Sequence, residues 1–180
     1  TNSSPRDTYY YNNIGYPHRF PVPSPVPQWV VNQWMPSLEA RAEITTAINS
    51  GVGLVAHRDH GTELSWSEPP FSVIQARQLT NGPMTPVVFS MNCNTARFYR
   101  SEGDSLCEAF LKHPNGGAVG TIGAVRPSFS GYNDLLTHGM WNGFWPGYDP
   151  AHSDGADSHT MRPAEALNYA KHYMRLYMGA

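Results

Sequence analysis

Two short stretches bring reactive side chains to the ends of apolar runs. "GVGLVAHRDHG", residues 51–61, runs as an apolar segment straight into His57, Asp59, His60 and Gly61, and "PVVFSMNCN", residues 86–94, ends on Cys93 between two asparagines. A thiol and an imidazole are the minimum equipment for thiol catalysis: a thiolate attacks a carbonyl carbon and an imidazole protonates the leaving group. Gly61 follows the histidine without a Cβ, so a substrate carbonyl could approach its backbone N–H closely. The "HRDH" cluster also supports a second reading, as part of a metal-ligand set in which His57, Asp59 and His60 hold an ion that activates water. That set is incomplete, because the first histidine of such a motif is missing and His138, His152 and His159 have no fixed relation to it. A third reading keeps the fold and drops the chemistry, leaving a scaffold or binding subunit.

Each remaining candidate has a plain structural rival. Cys107 lies in the apolar stripe of a helical pattern and reads as structural. His57 alternates with core positions and reads as a satisfied, half-buried histidine rather than a catalyst. Glu63 and Trp66 are placed to fix the loop beside the cleft, and Trp66 could instead wall a substrate pocket. Phe129 and Tyr132 are candidates for a pocket lid or for the core. Arg126 reads as a surface residue whose guanidinium could face an acidic substrate side chain. Asp149, Asp154 and Asp157 lie in one loop, "YDPAHSDGADSH", at a spacing that could hold calcium through oxygen ligands. Thiol chemistry itself requires no cofactor, and this loop offers calcium a place.

The elements that must position these groups follow from pattern. "SLEARAEITTAIN" predicts a helix stopped at Ser50-Gly51, and Val52 to Ala56 a strand. "FSVIQARQL" predicts a short helix and residues 86–92 a second buried strand. Ser105 and Glu108 form a capping box for "SLCEAFLKH", in which Leu106, Cys107, Phe110 and Leu111 share a face. "GGAVGTIGAV" reads as a third strand, "YNDLLTHGMWNGFW" as a helix, and "RPAEALNYAKHYMRLY" as a last helix with Pro163 in its first turn. Strands alternating with helices mean an α/β fold: a mostly parallel sheet flanked by helices on both faces. In such a sheet the strands' carboxyl ends face the ligand crevice, so His60 and Cys93 would occupy adjacent tips if their strands are neighbours.

Residues 37–180 are expected to form this α/β domain, whereas residues 1–36, with prolines at 17, 21, 23, 25, 27 and 36 among aromatics, read as an extended arm. The 180 residues, 40% apolar and 12% aromatic, are enough for one core, and a charged content of only 14% suggests covered surface. Twelve basic and fourteen acidic residues give a net charge of −2 with no basic cluster, which argues against nucleic acid as a partner. No apolar run approaches the roughly 20 residues of a membrane span. Two cysteines offer no disulfide framework.

The motifs "GVGLVAHRDHGTELSW", "QLTNGPMTPVVFSMNC" and "SLCEAFLKHPNGGAVGTIGA" together resemble the gingipain-like cysteine peptidases, peptidase family C25, which share the caspase-like strand arrangement. The 33-residue spacing of His60 and Cys93 also resembles that family. The resemblance implies a peptide or protein substrate, His60 as catalytic histidine, Cys93 as nucleophile, and the N–H groups of Gly61 and Cys93 as oxyanion hole. It further implies a secreted or cell-surface setting. In the family an acid well upstream orients the histidine, and here the match fails. Asp7, the one carboxylate in the arm, is one candidate for that acid; otherwise the acid is expected ahead of Thr1, on a companion N-terminal chain or segment of the same precursor, or this member works without it.

Overall fold

The computed structural model describes residues 9–10, 24–25, 28–33, 35–150 and 161–178. Most of the arm, with Asp7, therefore lies outside the described residues, as do Asp154 and Asp157. Within the arm the structure has two-residue strands β1 (Tyr9–Tyr10) and β2 (Ser24–Pro25) and a one-turn helix α1 (Gln28–Val31). The extended reading thus fails at residues 28–31. The following elements are α2 (Ser37–Asn49), β3 (Leu54–Arg58), α3 (Val73–Arg77), β4 (Val87–Met91), α4 (Leu106–Leu111), β5 (Gly120–Gly123), α5 (Ser130–Phe144) and α6 (Pro163–Tyr177).

The three longer strands form a parallel sheet in the order β3-β4-β5. β4 is central, and its residues Val88 to Met91 are all buried, those on one face alternating with those on the other. Val88 joins a core with Ile48 of α2, Val73 and Ala76 of α3, and Leu106 and Phe110 of α4. The opposite face of β4 carries Phe89 and Met91, which are buried too. β3 starts two residues later than its apolar run suggests. Gly51, at φ +92°, ends the α2 turn, and the pairing continues through His57 and Arg58 because Ser90 and Met91 continue opposite them. Two of the titratable residues that looked like a strand's tip are part of the strand.

The capping box of α4 is present: the Ser105 side chain accepts from the Glu108 N–H, and the Ser105 N–H donates to Glu108 Oε2 at 3.0 Å. A second, Ser72 with Gln75, opens α3. Leu111 departs from the expected apolar face, because it is the last residue of α4 and lies exposed beyond Phe110. Cys107 is buried as expected, and burial pushes its thiol up to about 11.

The chain divides into two compact units, one including Pro25–Ser128 and the other resuming at Phe129. The span 37–180, expected as one domain, is therefore divided after β5. The physical reason lies in the second unit, where α5 and α6 contribute no strand and bury their faces on each other. Helix approach there depends on small residues. A Cβ on Gly139 would stand 2.7 Å from the Ala170 Cα, and one on Gly143 would stand 3.1 Å from the Ala166 Cα. Leu135, Tyr169 and Tyr173 close the packing, and His138 stacks on Tyr173 with ring centroids 5.3 Å apart.

Candidate active site

The register of β3 on β4 sets the geometry of the two reactive tips. His57 pairs with Ser90 and Arg58 with Met91. His60 and Cys93 each stand two residues beyond the last pair, on neighbouring strands running in one direction. His60 is exposed, and its carbonyl accepts the Ser67 N–H at 3.0 Å. Cys93 is half-buried, with Sγ against the Ser128 backbone: the thiol donates to the Ser128 carbonyl at 3.3 Å, and the Ser128 N–H donates to the sulfur at 3.4 Å. Asn94, at φ +61°, turns the chain immediately after the thiol. Its N–H donates to the Arg126 carbonyl at 3.3 Å, and the Ala96 N–H donates to the Ala124 carbonyl at 3.0 Å. The loop that carries Cys93 is thus laced to the end of β5.

Beneath both tips lies a polar chain of side chains linked donor to acceptor. The Trp66 indole N–H donates to Ser90 Oγ at 2.8 Å, and Ser90 donates to Asn92 Oδ1 at 2.9 Å. The Thr95 hydroxyl lies 2.8 Å from both Ser90 Oγ and Asn92 Oδ1. Asn92 Nδ2 then donates to His57 Nδ1 at 2.6 Å, and His57 Nε2 donates to the Glu68 carbonyl at 3.0 Å. An amide can only donate through its nitrogen and a carbonyl can only accept, so His57 is held as the neutral Nε2–H tautomer. Burial holds its pKa below the ordinary value of 6.5.

The sequence-predicted site residues separate accordingly. His60, Gly61 and Cys93 belong to the paired tips. Gly61 needs its missing Cβ for a reason the sequence does not reveal, since a Cβ there would stand 2.9 Å from Asn92 Cγ and 3.1 Å from Thr95 Cγ2. That side of Gly61 is filled by protein rather than left for a ligand. Trp66 does not wall a pocket. It is 1% exposed, stacked on His57 at 4.4 Å and packed on Phe71 and Phe110, so its rings serve the core. Arg126 is an exposed residue tied into the site through its carbonyl. Phe129 and Tyr132 are exposed and belong to the second unit, with ring centroids 6.1 Å apart. Glu63 fixes its loop as expected: it pairs with Arg97 at 2.8 Å, and its carbonyl accepts the Leu106 N–H. Its own backbone N–H, then Arg97, hold its carboxyl below the usual range. Sequence reasoning missed Asn92, Thr95 and Ser128, whose partners lie in segments remote along the chain or whose residue types signal nothing alone.

The metal reading of "HRDH" meets an obstacle at His57, both of whose ring nitrogens are committed to protein partners. Among the described residues no three His, Cys, Asp or Glu side chains gather as a metal site. In the loop read as a calcium site, Asp149 Oδ2 lies 3.0 Å from His138 Nε2.

The buried, neutral His57 generates a stability prediction. Above about pH 6.5 the ring is neutral folded and unfolded, and titration contributes nothing. Below that value the unfolded chain takes up a proton that the buried ring resists, so stability falls as pH falls toward the depressed folded pKa. Urea melts of wild type and His57→Gln between pH 7 and pH 5 should show a steeper acid loss in wild type; parallel profiles would contradict this protonation state.

The profile of peptidase family C25 matches residues 6–178. Gingipain R2 and gingipain R1 of Porphyromonas gingivalis are each 30% identical over 88 residues, 48% of this chain, and the chain spans only 12% and 9% of their lengths. The crystal structure of the Arg-specific cysteine proteinase gingipain R superposes on 74% of this chain and 30% of its own, with a TM-score of 0.62 and 22% identity. A complex of the Porphyromonas gingivalis RgpB pro- and mature domains covers 77% of this chain and 32% of its own, with a TM-score of 0.62 and 19% identity. These likenesses identify the fold as the gingipain-like, caspase-like arrangement of a parallel sheet with helices, and the profile match identifies the lineage: the chain belongs to peptidase family C25.

Proposed function

We propose that this chain carries the nucleophile and the general acid–base of a cysteine endopeptidase, with Cys93 and His60 in those roles. The observation that carries the reading is the β3–β4 register, which sets both residues the same two positions beyond the paired strands. The Cys93 thiolate attacks the scissile carbonyl carbon, and the C=O electron pair moves to oxygen. The backbone N–H groups of Gly61 and Cys93 receive that oxyanion, a contribution that depends on donors fixed before reaction. Protonated His60 delivers its proton to the leaving nitrogen as the C–N bond breaks, leaving a thioester on Cys93. His60, now neutral, takes a proton from water as that water attacks the thioester, and collapse releases the carboxylic acid and regenerates the thiolate. No metal or cofactor enters any step. Arg126, exposed beside the loop that carries Cys93, is the reading adopted for substrate contact.

The companion segment belongs to the same proposal. Thiol peptidases of this plan orient the histidine with a carboxylate, and Asp7 is outside the described residues. A neighbouring structure is a complex of pro- and mature domains, and this chain spans about a tenth of its curated relatives, which supports a further segment of the precursor as the source of the acid. The extracellular setting is inferred from the same kinship. Size-exclusion chromatography with mass analysis tests the companion: purified native material should contain a second segment bound to this chain, whereas a fully active 20.0 kDa monomer would contradict it.

Substitutions at the reactive pair test the chemistry. Cys93→Ala should abolish casein hydrolysis with the melting temperature retained, and His60→Ala should lower turnover by about 10²-fold or more. Cys107→Ala should keep activity and lose on the order of 1 kcal/mol of stability, because a small cavity replaces a buried thiol. Undiminished hydrolysis by Cys93→Ala would sink the peptidase reading.

A further inference from the structure

Asn92 borders both halves of the proposed machinery, Cys93 through the chain and Gly61 through its side chain. It immediately precedes Cys93 along the chain, and it packs against the backbone of Gly61, where a Cβ would stand 3.0 Å from its Oδ1. It is 1% exposed, and its amide is tied at both ends, to Ser90 and Thr95 through oxygen and to His57 through nitrogen. A buried amide with both ends bonded has one orientation, because turning it over would set its N–H groups against Ser90 and its oxygen against the His57 lone pair. His57 is in turn fixed by the Glu68 carbonyl and by the Trp66 ring stacked 4.4 Å away with planes 4° apart.

We infer that Asn92, held in orientation by His57 and Thr95, is the positioning residue that sets the separation of the His60–Gly61 tip from the Cys93 thiol. The inference rests on the Cys93/His60 reading but adds residues that touch no substrate. Three features of the site fall into place under it. Gly61 is glycine because the positioning amide occupies the volume of its side chain. His57 lies in the strand, three positions before His60, where its pairing opposite Ser90 brings it to Asn92 from the neighbouring strand. Thr95 contributes a hydroxyl to the amide and a methyl to Gly61, closing the bracket from the loop after the nucleophile.

The test uses the intact protein with casein as substrate, together with the rate at which iodoacetamide alkylates Cys93, a readout that needs no substrate. His57→Leu removes the acceptor for Asn92 Nδ2, and His57→Gln restores one. His57→Leu should lower kcat by about tenfold with KM within about threefold, since misplacement of reacting groups acts on the chemical step rather than on binding. It should also change the alkylation rate at least about threefold, with His57→Gln returning both toward wild type. If His57→Leu does not fold, the isosteric Thr95→Val, which deletes only one hydroxyl from the bracket, carries the same test with an expected kcat loss of about threefold and a matching change in alkylation rate. A merely structural role would lower the melting temperature and leave kcat and the alkylation rate of the folded variants unchanged, and that result overturns the inference. A wild type that hydrolyses nothing would overturn the peptidase reading alone, because the alkylation rates would still decide the positioning.

Discussion

The constraint on which the rest depends is the parallel pairing of β3 with β4, His57 on Ser90 and Arg58 on Met91. Side chains alternate faces along a strand, so a slip of one residue would carry His57 out of the core and turn Ser90 away from Trp66. The indole N–H, the serine hydroxyl, the asparagine amide and the imidazole would then all lose their partners, each loss costing about 1–3 kcal/mol for a buried polar group. The polar chain is therefore a register lock as well as a support. It lies directly beneath the two tips, and a shift that spoiled the site would also unsatisfy the core. The core adds its own restraint on one face of the sheet, where Trp66 stacks on His57 and packs in turn with Phe71 and Phe110.

Much of the architecture was legible from residue types. The Ser105–Glu108 box announces α4, Pro163 announces α6, and the alternation of apolar runs with helical patterns announces a parallel sheet with its reactive residues at the strand ends. The failures have definite physical causes. β3 extends to Arg58 because a strand's limits are set by its partner, and Ser90 supplies a polar neighbour that the one-dimensional pattern of "AHRDH" does not display. Trp66 reads as a pocket wall only while its partners are unknown; once Ser90 is seen to accept its N–H, full burial follows without an unpaired donor. Ser128 lies 35 residues from the thiol it touches, and nothing in its type marks it. The division after Ser128 is equally hidden, since α5 and α6 carry helical patterns like those that pack on the sheet.

The two histidines of "HRDH" show why cluster and function are separate questions. His57 and His60 are three positions apart, yet one is buried, neutral and bonded at both nitrogens while the other is exposed at a strand end. A shared metal would need both imidazoles to present a lone pair to one point. The strand ends between them, and His57 turns inward to Asn92. The same motif that suggests an ion in the sequence becomes, in the fold, an exposed imidazole at a strand end and a buried one bonded into the polar chain beneath it.

The central claim is that Cys93 is the thiol a substrate carbonyl meets, with His60 beside it. Intact-mass and peptide-mapping measurement after reaction of the intact protein with a panel of peptidyl acyloxymethyl ketones tests this most directly, because these reagents alkylate a thiol only where a peptide binds as substrate. The account predicts a single adduct on Cys93, slowed strongly by His60→Ala, with the buried Cys107 unmodified. Labelling of Cys107 in place of Cys93, or labelling of Cys93 at the same rate with and without the His60 imidazole, would contradict it.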